Sequence, residues 1–495
     1  MERASGVLMH ISSLPGEFGI GSLGGDARKF IDFLRSGGFS YWQILPINEP
    51  DEYNSPYKSP SAFSGNPMFI DLEELYSKGL LYREELDEVR QKAPYICEFD
   101  MLNETRMSIL RKAFSRIDSE TKNNVEKFTS ENSWVKEYAI FKALKIANNG
   151  TIWQEWTCFE PVEEDVRFYS FLQYEFFRQW DNLKTYANKA GVSIIGDMPF
   201  YVSPDSADVF THRSYFQLDE KGGMTAESGV PPDYFSEEGQ AWGNPLYDWE
   251  KLKKTDYGWW IERILQALKM FDKLRVDHFR GFSGYWAIPK GKKPIGGHWE
   301  KGPGIDFFNK LKEKLPYPDI IAEDLGEIEE DVKDLLKATG FPGMRVLQFG
   351  FINDDVKNPH LPYNYINNTV AYTGTHDNST LLGWLWETGE ANRRWVLDYC
   401  GFYGENWGEG GSKAAALRAV IKTVYQSSAG LVMLPVQDLC GFGNDTRMNI
   451  PGNSEHNWAY RITWEQLEQI DKDWIVKVND LYGRICNQSE RRRDK

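Results

Sequence analysis

A strand buried on both faces reads as a short continuous run of apolar, β-prone residues rather than as an alternation. Eight such runs occur in the chain, at residues 6–11, 41–47, 192–198, 274–278, 320–324, 344–349, 369–376 and 430–434. Helix-period patterns lie between most of them. Residues 26–36 precede the second run, 168–190 the third, 259–271 the fourth and 413–427 the eighth, while 328–339 separates the fifth from the sixth. Strand and helix alternating eight times predicts an α/β chain folded as a (β/α)8 TIM barrel. A doubly wound open sheet alternates too, but no G-x-G-x-x-G follows the first run.

The spacing is uneven. The long polar stretch between the second and third runs predicts a mainly helical insertion at 71–165. Between the third and fourth runs, residues 203–255 are rich in Gly, Pro, Asp and aromatics. An irregular loop of that length in a compact fold is functional or disordered. It reads here as a lid-like insertion, stiffened by P-P-D-Y-F at 231–235 and A-W-G-N-P at 241–245. The whole of 1–495 then reads as one catalytic barrel with insertions between strands.

Bulk properties narrow the function. Hydrophobic residues make up 41% and charged residues 26%, which suits a packed globular fold. A net charge of −16 argues against nucleic acid and against anionic membranes as partners. No run is long enough to span a bilayer, and no secretory leader is evident. Five cysteines, with no C-x-x-C, fit a reduced cytoplasm better than a disulfide framework. Aromatics reach 15%, including 18 Trp. That excess suits stacking on sugars, and equally suits a large core.

In a (β/α)8 barrel the C-terminal ends of all strands converge on one mouth. Several runs end there in acids: Asp197 in the third, Asp277 in the fourth, Glu323 and Asp324 in the fifth, and Asp377 just after the seventh. Carboxylates gathered in this way suit the breaking of glycosidic bonds. Arg275 lies two residues before Asp277 and shares its face on a strand. Beside Asp277 it lowers that acid's pKa, as suits a nucleophile; it serves equally as a structural ion pair inside the barrel. Glu323 and Asp324 are adjacent and point to opposite sides. Glu323, with its flexible stem, is the expected acid/base, and Asp324 is expected to cap the following helix or brace the loop. His278 and His376 each neighbour a site acid. With no H-x-x-x-H and no Cys cluster, sugar hydroxyls suit them better than a metal. His10 ends the first run and either faces the mouth or packs beneath it. Tyr57, in the Pro- and Ser-rich loop after the second run, either stacks on a sugar or covers a core edge.

At these residues the chain resembles a known family. R-V-D-H-F-R-G at 275–281, A-E-D-L-G at 322–326, T-G-T-H-D-N at 373–378 and G-D-M-P-F-Y-V at 196–202 closely resemble the motifs of the amylomaltases. These are the 4-α-glucanotransferases, or disproportionating enzymes, of the wider α-amylase superfamily. S-P-Y-K-S-P-S-A-F-S-G-N-P at 55–67 and D-L-C-G-F-G-N-D-T-R-M-N-I-P-G at 438–452 are similar to family signatures as well. The resemblance runs through nearly the whole chain. It implies a barrel with inserted subdomains and no C-terminal β-domain; no cofactor is implied. It also implies retaining transfer of an α-1,4-glucan segment to the 4-hydroxyl of another glucan. By motif, Asp277 resembles the nucleophile, Glu323 the acid/base and Asp377 the transition-state stabiliser, whose charge is expected to help keep Glu323 protonated. Arg275, His376 and Asp197 resemble sugar-binding and supporting positions, His278 is grouped with them, and Tyr57 and Trp242 resemble aromatic platforms of a glucan groove. An α-1,4-glucan hydrolase with the same three acids is the alternative.

Overall fold

The computed structural model describes residues 1–51, 53–91, 93–232, 237–326, 328–453 and 456–485. Its twelve strands are β1 (Ala4–Leu8), β2 (Tyr41–Gln43), β3 (Ser193–Met198), β4 (Ala226–Val230), β5 (Gln240–Pro245), β6 (Lys273–Val276), β7 (Gly284–Pro289), β8 (His298–Lys301), β9 (Ile320–Ala322), β10 (Gly343–Val346), β11 (Thr369–Tyr372) and β12 (Leu431–Pro435). Eight of them close into a barrel in the order β1-β12-β11-β10-β9-β6-β3-β2. Neighbours run parallel all the way round. The (β/α)8 barrel expected from the eight runs is therefore the fold. Each run overlaps one barrel strand, and most runs extend past the end of theirs. The chain leaves the ladder there and turns into the mouth, which is where the acids lie.

Alternation along the strands separates two cores. Ile195, Ile321, Met344, Val346, Val370, Tyr372, Leu431 and Met433 fill the barrel interior. Ile194, Leu274, Ile320 and Val432 face the surrounding helices. Helix Glu163–Lys189 shows why these segments are helical. Glu163, Glu164 and Asp165 complement the dipole at its start. Phe168, Phe171, Leu172, Phe176, Trp180, Leu183 and Ala187 form its buried stripe at helical spacing. Gly191, at φ 80°, turns the chain into β3.

Between β2 and β3 lie helices Leu72–Ser77, Arg83–Glu88, Phe99–Ser115, Ser119–Glu131 and Ser133–Ala147, the last three packed on helix Glu163–Lys189. The segment 203–255 differs from the irregular loop expected there. It contains β4 and β5, which join β7 and β8 in an antiparallel sheet of order β5-β4-β7-β8. These strands are short, carry Gly229, Gly243 and Pro245, and include a register shift between Glu227 and Gly229, so no clean alternation marks them in the sequence. Of the P-P-D-Y-F stretch, residues 233–235 lie outside the described residues. After β12 the described residues hold helices, including Trp464–Glu468 and Lys472–Leu481, and no strand. Among the described residues no helix is long and apolar enough to cross a membrane.

Candidate active site

The barrel's register sets the geometry of the acids. In the β6–β9 pair Val276 lies opposite Ala322. Asp277 and Glu323, the next residues on each strand, therefore emerge level with one another from strands about 4.8 Å apart. Backbone bonds continue past the strand ends and fix them. The Asp277 N–H donates to the Met198 carbonyl at 3.0 Å, the Glu323 N–H to the Val276 carbonyl at 3.1 Å and the Phe279 N–H to the Glu323 carbonyl at 3.2 Å.

On β3 and β6, Asp197 lies opposite Arg275. The Arg275 guanidinium donates through Nη1 to both Asp197 carboxylate oxygens at 2.7 Å, and through Nη2 to Asp277 Oδ1 at 3.0 Å. Asp197 and Arg275 are both buried, whereas the Asp277 side chain keeps 30% exposure and can be reached from the mouth. Asp197 Oδ2 also accepts from the Tyr57 hydroxyl at 2.8 Å. The Tyr57 ring stacks on His376 with centroids 5.1 Å apart, and His376 Nε2 lies 3.3 Å from Asp377 Oδ2. One chain of contacts thus runs Asp277–Arg275–Asp197–Tyr57–His376–Asp377. Tyr57 touches both Asp197 and His376, and it also packs against the core.

Burial and charge divide the acids. Burial pushes Glu323 up to about 7, and the Asp277 charge adds to that; Arg275 and the N–H groups of Leu325 and His278 oppose it. Those two N–H groups donate to Glu323 Oε1 at 2.9 Å and Oε2 at 2.7 Å. Burial likewise raises Asp277 to about 6, against the opposing pull of Arg275. Arg275 lowers Asp277, as expected of the pair, but desolvation outweighs it. Asp277 is the principal charge acting on Glu323. The two titrate as a pair, and the Arg275 guanidinium, bonded to Asp277, favours the ionised form of that acid. Asp377 goes the other way. Burial opposes its ionisation, but the His376 charge and hydrogen bond, then the Asn449 amide, override it and hold the acid at about 2. His376 is correspondingly raised: burial would lower it, and Asp377 reverses the effect.

Asp324 points away, as adjacency to Glu323 required, but it caps no helix. It is buried and accepts from the Met344 N–H at 2.6 Å and from Arg345 Nη1 at 3.0 Å, tying β9 to β10. Replacing Asp324 by Ala leaves Arg345 and the Met344 N–H without their acceptor. It is expected to cost about 3 kcal/mol, read as a lower Tm in thermal unfolding.

Trp242 and His278 form a separate pair on the Glu323 side. Their rings meet edge to face at 4.9 Å, and the Trp242 indole N–H donates to Gln240 Oε1 at 3.3 Å. His10 is buried just past the end of β1 and lines a small cleft beside His376, with Asn378, Asp438, Arg447 and Met448 among the other walls. Among the described residues no group of three His, Cys, Asp or Glu side chains is arranged to hold a metal ion.

Sequence reasoning missed Asn449 and Arg447. Asn449 Nδ2 donates to Asp377 Oδ1 at 2.6 Å, and Arg447 Nη2 to the Asp377 carbonyl at 2.8 Å. Both come from the loop after β12. Its resemblance to a family signature was the only sign of them.

A family model described as 4-alpha-glucanotransferase matches residues 9–467. The chain belongs to the 4-alpha-glucanotransferase family. It is 41% identical to a 4-alpha-glucanotransferase of Clostridium butyricum, over 96% of this chain and 100% of that protein. It is 40% identical to one from Thermus thermophilus, over 93% and 95%. Among solved structures, it is similar to the amylomaltase of Streptococcus agalactiae in complex with acarbose. That match has a TM-score of 0.94 at 36% identity and covers 98% of this chain and 100% of the other. An amylomaltase of Corynebacterium glutamicum, at 21% identity and a TM-score of 0.81, shares the fold. The amylomaltase resemblance of the strand-end motifs thus holds along the chain.

Proposed function

We propose that this 4-alpha-glucanotransferase transfers α-1,4-glucan segments by a retaining double displacement centred on Asp277. The observation that carries the reading is the level placement of Asp277 and Glu323 on hydrogen-bonded strands, with both acids raised by burial and Arg275 bonded to Asp277. A spacing near 5 Å is what nucleophilic attack requires, since an inverting pair leaves room for a water between them.

In the first half-reaction an Asp277 oxygen attacks the anomeric carbon of the donor glucan. The glycosidic C–O bond breaks as Glu323 gives its proton to the departing oxygen. The leaving piece departs with a free 4-hydroxyl, and the retained piece remains as an ester on Asp277. In the second, an acceptor 4-hydroxyl attacks the same carbon, its proton passes to Glu323, and the ester bond breaks. Both acids return to their starting states.

Asp377, held ionised by His376 and Asn449, accepts hydrogen bonds from ring hydroxyls, and these tighten as positive charge develops on the sugar. Arg275 holds Asp277 in place through its shared grip on Asp197. Tyr57 and Trp242 offer aromatic faces to glucose units, and the segment around β4 and β5 is the lid that favours an acceptor sugar over water. The four described cysteines are free thiols, which supports a reducing cytoplasmic setting.

Incubation with maltotriose is expected to give glucose together with a ladder of longer maltodextrins on chromatography. Glucose and maltose with no longer product would mean an α-1,4-glucan hydrolase instead.

A further inference from the structure

His278 occupies an unusual position. It directly follows Asp277 and has φ 46°, in the left-handed region that non-glycine residues seldom adopt. In that turn its backbone N–H donates to Glu323 Oε2 at 2.7 Å. Among the described residues its imidazole makes no hydrogen bond. Nε2 is buried and without a partner among the described residues. The ring sits instead among aromatic rings: Trp242 at 4.9 Å, Phe200 at 6.0 Å and Tyr201 at 6.2 Å.

We infer that His278 is a positioning residue for the acid/base: its left-handed backbone aims its N–H at Glu323, and its ring, wedged against Trp242, locks that turn. The inference rests on the reading of Glu323 as acid/base. It also connects the lid to the acid, because Trp242 lies on β5. The imidazole is a packing anchor here and not a sugar ligand. Burial, with Arg280 adding to it, holds it neutral, its pKa lowered to about 3, so it carries no charge to the acid. The charged groups acting on Glu323 are Asp277 and Arg275, both from β6 and its end.

A β-branched residue cannot hold the left-handed turn without strain, whereas Asn tolerates it. Replacing His278 by Val is expected to swing the N–H away from Glu323. A hydrogen bond to the ionised form holds a carboxyl's pKa down, so its loss moves the basic limb of kcat against pH upward. kcat should fall about 100-fold, the scale of an ångström-sized misplacement, with KM nearly unchanged. His278→Asn should recover most of that loss and restore the parental pH limb. Equal kcat and equal pH limbs in the two variants would overturn the inference. So would a rise in KM in His278→Asn with its pH profile unmoved, which would make the imidazole a sugar contact. Should His278→Val fail to fold, the Asn variant decides alone on those two readouts. Glu323→Gln is measured in parallel. If it stays active, the acid/base reading itself fails; if it is inactive while Val and Asn behave alike, only the role of His278 fails.

Discussion

Replacing Asp277 by Asn is expected to reduce turnover at least about 10⁴-fold, the scale on which single catalytic side chains act. The amide cannot form the ester to the anomeric carbon, so the first half-reaction has no nucleophile. Glucan binding should survive. Asp197 still engages Arg275 through both its oxygens, and Tyr57, His376 and Asp377 keep their contacts. Maltotriose turnover measured alongside equilibrium binding of a maltooligosaccharide separates the two effects. Turnover within tenfold of the parent protein would remove Asp277 from the chemistry.

Glu323→Gln is expected to cost about 10²- to 10⁴-fold with a glucan donor, the usual contribution of a positioned acid/base. The pH profile gives an independent sign. Glu323 must be protonated to release the leaving group, and burial with the Asp277 charge has raised it to about 7, so activity falls as pH rises above that point. Asp277 must be ionised, and burial has raised it to about 6, so activity falls below that point. The parent enzyme should therefore show a bell between these limits, whose two constants belong to the pair. Asp377, held at about 2, contributes nothing in that range. In Glu323→Gln the basic limb should vanish. An unchanged basic limb would assign that titration to another group.

Much of this was legible in the chain. The run 430–434 is apolar throughout because parallel barrel strands are covered on both faces, and in 192–198 and 274–278 polar residues enter toward the end because strand ends open on the mouth. Glu323 and Asp324 could be assigned to opposite sides from adjacency alone. What the sequence could not supply was the balance between competing terms. Arg275 beside Asp277 reads as a pKa-lowering pair, and it is one, but the desolvation that opposes it is a property of the folded mouth. Asn449 was hidden for another reason. An amide in a loop after β12 has no periodicity or charge to mark it, and only the closed barrel brings it to Asp377. The sheet β5-β4-β7-β8 was hidden because its short strands carry glycine and proline where alternation would have revealed them. The left-handed backbone of His278 was hidden too, since it cannot be read from a histidine.

The central claim is that Asp277 becomes covalently linked to the transferred sugar while Glu323 works the proton. It is tested most directly by trapping that ester. α-Maltosyl fluoride carries a leaving group that needs no acid, so Glu323→Gln should still take the first step and then stall before an acceptor attacks. Peptide mass spectrometry of the quenched protein should find one maltosyl adduct, on the peptide containing Asp277. An adduct on a different carboxylate, or fluoride release with β-maltose as the first product and no adduct at all, would contradict the account.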